Sequence, residues 1–228
     1  MTVQLDEQAD PAPVPDPTPR PVKQLVLISL AAVLVVGAGL LAAGWDRGTP
    51  PWAGRVLEST QAKPDITLTD TSGRPFNLRT DTAGKLTVLM FGYTHCPDVC
   101  PINLATLDST LDSLGPRARG QVEMVFVTAD PARDTPEVLR TYLDQFDVGF
   151  IGLTGTEAQV AAAQEAAKVP IATLDEPDAE GDYTVGHATQ MIVYGTDDQA
   201  RIVYPFGTRQ VDWSRDLPRL LNGEEPTA

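Results

Sequence analysis

Basic residues are scarce in this chain. Lys and Arg total 17 against 31 Asp and Glu, a formal net charge of −14 over 228 residues. Such a field repels phosphates, which argues against DNA or RNA as a partner, and it suits cations and basic protein surfaces. Sulfur and imidazole are scarcer still, with 2 cysteines and 2 histidines. All thiol chemistry is therefore confined to one turn, since Cys96 and Cys100 both lie in "GYTHCPDVCP" (92–101), and imidazole can come only from His95 or His187. No internal repeat and no second-domain boundary is visible.

Charge is missing altogether from "LVLISLAAVLVVGAGLLAAG" (25–44). A run of this length matches the roughly 20 residues that a helix needs to cross a bilayer. It is longer than the apolar part of a signal peptide and lies far from the N-terminus, so an uncleaved anchor is expected. Residues 1–24, with six prolines and no apolar periodicity, read as a disordered arm. Arg20 and Lys23 precede the span, while Asp46 and Arg47 nearly cancel after it. The positive-inside rule then keeps the arm in the cytoplasm and places the rest of the chain outside, in a single-pass membrane protein. There both cysteines meet a more oxidising space. Residues 45–63, broken by Gly48, Pro50, Pro51 and Gly54, read as a tether, 64–222 as the exported domain and 223–228 as a tail.

Within that domain, strands and helices alternate. "DITLTDTSGRPFNL" (65–78) reads as two short strands around a turn, and "KLTVLMFGY" (85–93) as a strand buried on both faces. The spacing of Leu104, Leu107, Leu111 and Leu114 predicts a helix over 101–115. Residues 122–130 form a second buried strand. A helix over 135–146 takes Thr135 as N-cap with Pro136 in its first turn. A strand over 148–155, a Thr156-capped helix over 156–169, a hairpin over 188–206 and a last helix over 210–221 complete the domain. The result is an α/β sandwich, and a cysteine turn between the first buried strand and its helix is the arrangement of a thioredoxin-like fold.

The turn could hold a structural disulfide, a redox pair or a metal ion. Closing so small a loop removes little chain entropy, which disfavours a mere staple. With Pro101 at the first helical position, Cys100 would sit near the N-cap, where the helix dipole stabilises a thiolate. Two thiolates favour a soft ion such as Cu(I), and one imidazole would complete a three-coordinate site. His95 abuts Cys96 and faces the other way, which also counts against a zinc site that used it. On spacing alone, His187 stands equally as a ligand and as a plain loop histidine.

"FGYTHCPDVCP" (91–101), "TADPARDT" (128–135) and "DYTVGHAT" (182–189) together resemble the SCO/SenC family of copper chaperones for cytochrome c oxidase, over roughly residues 64–221. The resemblance implies a membrane-anchored, thioredoxin-like protein that helps assemble the binuclear copper centre of oxidase subunit II. It implies Cys96, Cys100 and His187 as ligands of Cu(I) or Cu(II), with Asp130 as a polar neighbour of the site. Family members often carry an acidic residue just before the histidine, where this chain has Gly186. The competing function is a thiol–disulfide oxidoreductase built on Cys96 and Cys100, although such enzymes usually space the pair by two residues rather than three and have no evident use for His187. Reduction of a target's thiols could accompany copper delivery. Met191 reads as packing, Trp45 and Trp52 as candidates for the membrane interface, and Asp197–Asp198 as a turn.

Overall fold

The computed structural model describes residues 33, 50–179 and 181–227. The arm and the apolar run 25–44 lie outside these residues except for Val33, and among the described residues no helix is long and apolar enough to cross a membrane.

The chain opens with β1 (Arg55–Ala62), β2 (Thr67–Asp70), β3 (Pro75–Asn77), a one-turn α1 (Leu78–Asp81) and β4 (Leu86–Gly92). Then come α2 (Val99–Leu114), the short α3 (Pro116–Arg119), β5 (Val122–Thr128), α4 (Pro136–Leu143), β6 (Ile151–Thr154) and α5 (Glu157–Ala166). A two-residue pair, β7 (Thr173–Leu174) and β8 (Val185–Gly186), precedes the hairpin β9 (Met191–Tyr194) and β10 (Gln199–Tyr204), and α6 (Gln210–Leu221) closes the domain. Among the described residues the main sheet has eight strands in the order β1-β10-β9-β4-β5-β6-β2-β3, with β7-β8 as a separate ribbon. Strands β4, β5 and β6 run parallel, and β9 returns antiparallel beside β4.

All seven residues of β4 are buried. Leu86, Val88 and Met90 join one core cluster with Leu104, Leu107 and Leu111 of α2 and Trp213 and Leu217 of α6, while Leu89 and Phe91 join a second with Ala163 of α5. The continuous apolar run thus reflects a strand covered on both faces. Each of the leucines buried from α2 contributes roughly 1.5–3 kcal/mol relative to an exposed position. The expected caps are present. Thr135 accepts a hydrogen bond from Val138 N–H, and Thr156 forms a reciprocal capping box with Gln159 at the start of α5. Met191 is core packing, 2% exposed. Asp198 occupies the left-handed region of the hairpin turn at φ 60.

The reading of 45–63 as a tether is corrected over its described part. Arg55–Ala62 forms the edge strand β1, paired antiparallel with β10 from Arg55↔Val203 to Ala62↔Gln199. Before it, Ala53 N–H donates to Asp216 Oδ2 at 2.8 Å, and the Arg219 guanidinium lies 3.6 Å above the Trp52 ring. Trp52 is therefore engaged by the domain itself. At the far end of the strand, Lys63 is fully buried and its Nζ reaches Thr82 Oγ1 at 3.0 Å and Asp198 Oδ1 at 2.7 Å.

This topology explains how residues 87 apart in sequence meet. β4 delivers the chain to the cysteine turn at its C-terminal end, and the antiparallel register Met90↔Met191 sets the start of β9 at that same end. The segment just before β9, which carries His187, consequently lies over the mouth of the turn.

Candidate functional site

Helix α2 begins two residues earlier than the leucine spacing predicted. Asp98 is the N-cap, and Val99, Cys100 and Pro101 occupy the first three helical positions. Pro101 is tolerated there because the third N–H of a helix is also without an intrahelical partner. The shift reverses the expected roles of the two cysteines. Cys100 is inside the first turn and completely buried, whereas Cys96, 8% exposed, lies ahead of the helix and faces its N-terminus. Cys100 N–H points at Cys96 Sγ, at 3.5 Å.

The thiol chemistry follows. A hydrogen bond from the Cys100 thiol, helped by the Cys100 backbone N–H, lowers the Cys96 pKa to about 4 against the opposing effect of burial. Cys100 moves the other way. Donating to Cys96, being buried and lying beside the Cys96 charge all push its pKa upward. The activated thiolate of this turn is Cys96, and Cys100 is the proton-bearing partner that steadies it.

Burying Cys100 so tightly requires Gly92. A Cβ on that residue would lie 2.6 Å from Cys100 Sγ and 2.7 Å from the Phe126 ring. The close approach, rather than any unusual backbone angle, is what demands glycine there.

His187 reaches the pair. Its Nε2 lies 3.8 Å from Cys100 Sγ, and the candidate donor atoms of Cys96, Cys100 and His187 all lie within 4.8 Å of one another. Its Nδ1 is 2.9 Å from the Ala188 carbonyl oxygen. A carbonyl can only accept, so Nδ1 carries the proton and the Nε2 lone pair faces the sulfurs. The ring also packs edge-on against Tyr93, with centroids 5.5 Å apart. Metal bonds of about 2.0–2.3 Å to nitrogen and sulfur place the ligands of a trigonal site roughly 3.5–4 Å apart. The cluster needs only a small contraction to reach that spacing. Two sulfurs and one neutral imidazole suit a soft monovalent ion.

The other sequence candidates fall elsewhere. His95 is half exposed and pairs with Thr94 Oγ1 at 3.1 Å, lying outside the cluster. Asp130 is buried but is bonded to Arg133 Nε at 2.5 Å and to Tyr183 O–H at 3.0 Å. It acts on the cluster only through these partners, because Arg133 also donates to the Tyr183 carbonyl at 3.0 Å, four residues before His187. Two neighbours were not anticipated. Asp134, fully buried, accepts from Thr94 N–H at 3.0 Å, from Thr94 Oγ1 at 2.6 Å and from Thr128 Oγ1 at 2.6 Å, pinning the loop that leads to Cys96. Tyr93 packs edge-on against the His187 ring and so ties the end of β4 to the loop that carries His187. The acid in "ADPARDT" was visible in the sequence, but its three donors become neighbours only on folding.

A thioredoxin-like domain carrying a Cys–Cys–His cluster at the end of its first buried parallel strand is the class defined by this fold and site. The chain belongs to the SCO1/SenC family, whose description it matches over residues 55–222. It is 35% identical over 168 residues to the mitochondrial protein SCO2 of Saccharomyces cerevisiae, covering 74% of this chain but about half, 54%, of that protein. An SCO2-like protein of Rickettsia felis is 34% identical over 173 residues, with 74% and 82% of the two chains covered. Among solved structures, apo Sco1 of Thermus thermophilus superposes with a TM-score of 0.68 at 30% identity, covering 76% of this chain and 99% of that one. ScoI of Bradyrhizobium japonicum, solved with copper bound, gives 0.61 at 34% identity over 71% and 99%.

Proposed function

We propose that this protein is a membrane-anchored copper carrier in which Cys96, Cys100 and His187 hold the ion. The observation that carries the reading is the convergence of two sulfurs and an imidazole nitrogen, all within 4.8 Å, from segments 87 residues apart. Support also comes from the copper found in a relative of 34% identity. The ion is cargo. Cys96 is the more accessible sulfur and His187 is half-buried, so ligands can be exchanged stepwise from the outside while Cys100 remains seated. The likeness to the family makes the binuclear copper centre of cytochrome c oxidase subunit II the expected acceptor. The apolar run 25–44 would hold the domain on the extracytoplasmic face of the cell membrane.

The test is a copper titration of the reduced full-length chain in detergent. One equivalent with thiolate-to-copper absorption is expected, and a stoichiometry near zero refutes the reading.

A second activity is favoured by a separate observation. Cys96, with its pKa held to about 4 beside a protonated Cys100, is poised as an attacking thiolate for reducing a target disulfide. Disulfide exchange with a model substrate that survives in His187→Ala but not in Cys96→Ser would establish it.

A further inference from the structure

Cys96 and Cys100 belong to the hydrophobic core, whereas His187 hangs on a segment with little packing of its own. From Leu174 to His187 the described residues are exposed or only partly buried, except for Val185. The ribbon β7–β8 contributes two residues per strand, and a two-stranded pair of that size is not stable alone. Fastening comes instead from two side chains outside the segment. Downstream, Asn103 Nδ2 donates to the Thr189 carbonyl at 3.1 Å. Asn103 lies on α2, the helix that carries Cys100, so this contact moves with the sulfurs. Upstream, the fastening is Arg133, from the loop after β5. Its Nη2 donates to the Tyr183 carbonyl at 3.0 Å, and its guanidinium carbon lies 3.6 Å from the centroid of the Tyr183 ring.

We propose that Arg133 is the positioning residue for copper exchange. It latches Tyr183 so that His187 stays on the cluster, and release of that latch lets the imidazole swing away and opens the ion to an acceptor. This deepens, and rests on, the copper-carrier reading above. The guanidinium is itself held from below. Asp130, 1% exposed, accepts from Arg133 Nε at 2.5 Å and from Tyr183 O–H at 3.0 Å, so carboxylate, guanidinium and phenol close a triangle. The guanidinium carbon also lies 5.9 Å from the centroid of the Tyr93 ring, which meets His187 edge-on. One side chain therefore touches both supports of the imidazole, the chain leading to it and the ring packed against it.

The chemistry of the latch is specific to arginine. A planar guanidinium can stack on one ring, bond a carboxylate through Nε and still present Nη2 to a carbonyl. A lysine ammonium keeps the charge beside Asp130 but loses both the stack and the fork. Arg133→Lys thus weakens the latch while the buried Asp130 carboxylate keeps a cation, whereas Arg133→Ala would leave that charge unpaired and damage the fold. The swing has one apolar cost, since Val185, 5% exposed, is the buried side chain that it must draw out. Asn103 keeps its hold on Thr189 throughout, so the segment pivots about its downstream end and can close again.

The experiment has a copper-free and a copper arm, both on the reduced full chain in detergent. Without copper, nuclear magnetic resonance cross-relaxation between the His187 and Tyr93 rings reports whether the imidazole is seated. Arg133→Lys should largely abolish it while amide-exchange protection of Leu104 and Leu107 in α2 stays as in the natural chain. With Cu(I) loaded, transfer to a bidentate Cu(I) chelator should be at least tenfold faster in Arg133→Lys, a change equal to about 1.4 kcal/mol. Tyr183→Leu, which removes the stack and the bond to Asp130, should accelerate transfer too. On a His187→Ala background, Arg133→Lys should add nothing, because the ligand that it positions is gone. Undiminished cross-relaxation, unchanged transfer, a matching loss of protection in α2, or an acceleration that persists on top of His187→Ala would each overturn the proposal. The last two would reduce Arg133 to a general support of the fold. A chain that binds no copper sinks the carrier reading alone, since cross-relaxation still decides whether Arg133 seats His187.

Discussion

Gly92→Ala isolates the steric basis of the site. The backbone at this position lies outside the left-handed region, so a methyl group meets no conformational penalty and acts only through contact. It would sit 2.6 Å from Cys100 Sγ and 2.7 and 2.8 Å from two Phe126 ring carbons. Comfortable non-bonded separations are about 3.5–4.0 Å, so roughly 1 Å of relief is needed. Cys100 and Phe126 are both 0% exposed and cannot move into solvent. Overpacking of this kind costs about 1–3 kcal/mol. For a domain of this size each kcal/mol lowers Tm by about 2–4 °C, so calorimetry should show a fall of roughly 2–12 °C. The same displacement pushes Cys100 Sγ away from its 3.8 Å approach to His187. If about 1.4 kcal/mol of the strain must be undone on binding, copper affinity falls tenfold. A variant with unchanged Tm and unchanged copper affinity would refute the reasoning, because it would mean that the packing around Cys100 is loose enough to accept a methyl.

The remaining predictions concern the same cluster. Because Cys96 ionises near pH 4 in the fold and near 8.5 in an unfolded chain, the reduced protein gains stability from this thiolate that is full above the unfolded value and is lost as pH falls toward 4. Its alkylation by iodoacetamide should persist at pH 6 while Cys100 stays largely unmodified, and equal labelling of the two would reverse the assignment of the thiolate. His187→Ala should weaken copper binding without preventing disulfide formation between Cys96 and Cys100; unchanged affinity would return His187 to an ordinary loop residue. Asp134→Ala strips the acceptor from Thr94 N–H, Thr94 Oγ1 and Thr128 Oγ1, and should cost about 2–4 kcal/mol in denaturant unfolding, with loss confined to a few tenths counting against the pinning role.

Elements with two buried faces or a chemical cap were legible in the sequence. The run that became β4, the leucine stripe of α2 and the Thr135 and Thr156 caps each carry a local signal that folding does not override. β1 carries none. Its residues are mostly exposed and it owes its extended form to hydrogen bonds with β10, more than 130 residues later, so in sequence it looks like the loop around it. The exchanged roles of the cysteines have a related cause. Proline is tolerated at several positions of a first turn, so Pro101 marked the start of α2 only to within two residues, and two residues decide which sulfur faces the helix end. The supporting shell was out of reach for a plainer reason. Asp134 finds Thr94 across 40 residues and Tyr93 finds His187 across more than 90, and nothing local announces either contact.

Gly186, at the position where the family resemblance implied an acidic residue, follows from the same geometry. A Cβ there would lie 2.8 Å from Thr173 Oγ1, inside the β7–β8 ribbon, so a carboxylate could enter only if the Thr173 hydroxyl turned away or the two strands parted. The work of orienting the imidazole, which an acidic neighbour could perform, is done here by the Ala188 carbonyl on Nδ1 and by the edge of Tyr93. Gly186→Asp should therefore leave copper affinity equal to or below that of the natural chain, and should weaken hydrogen-exchange protection at Thr173 and Leu174. The paired variant Gly186→Asp with Thr173→Gly removes the collision and should recover that protection. Tighter copper binding in the single variant would mean that the ring is held less firmly by Ala188 than its 2.9 Å contact requires.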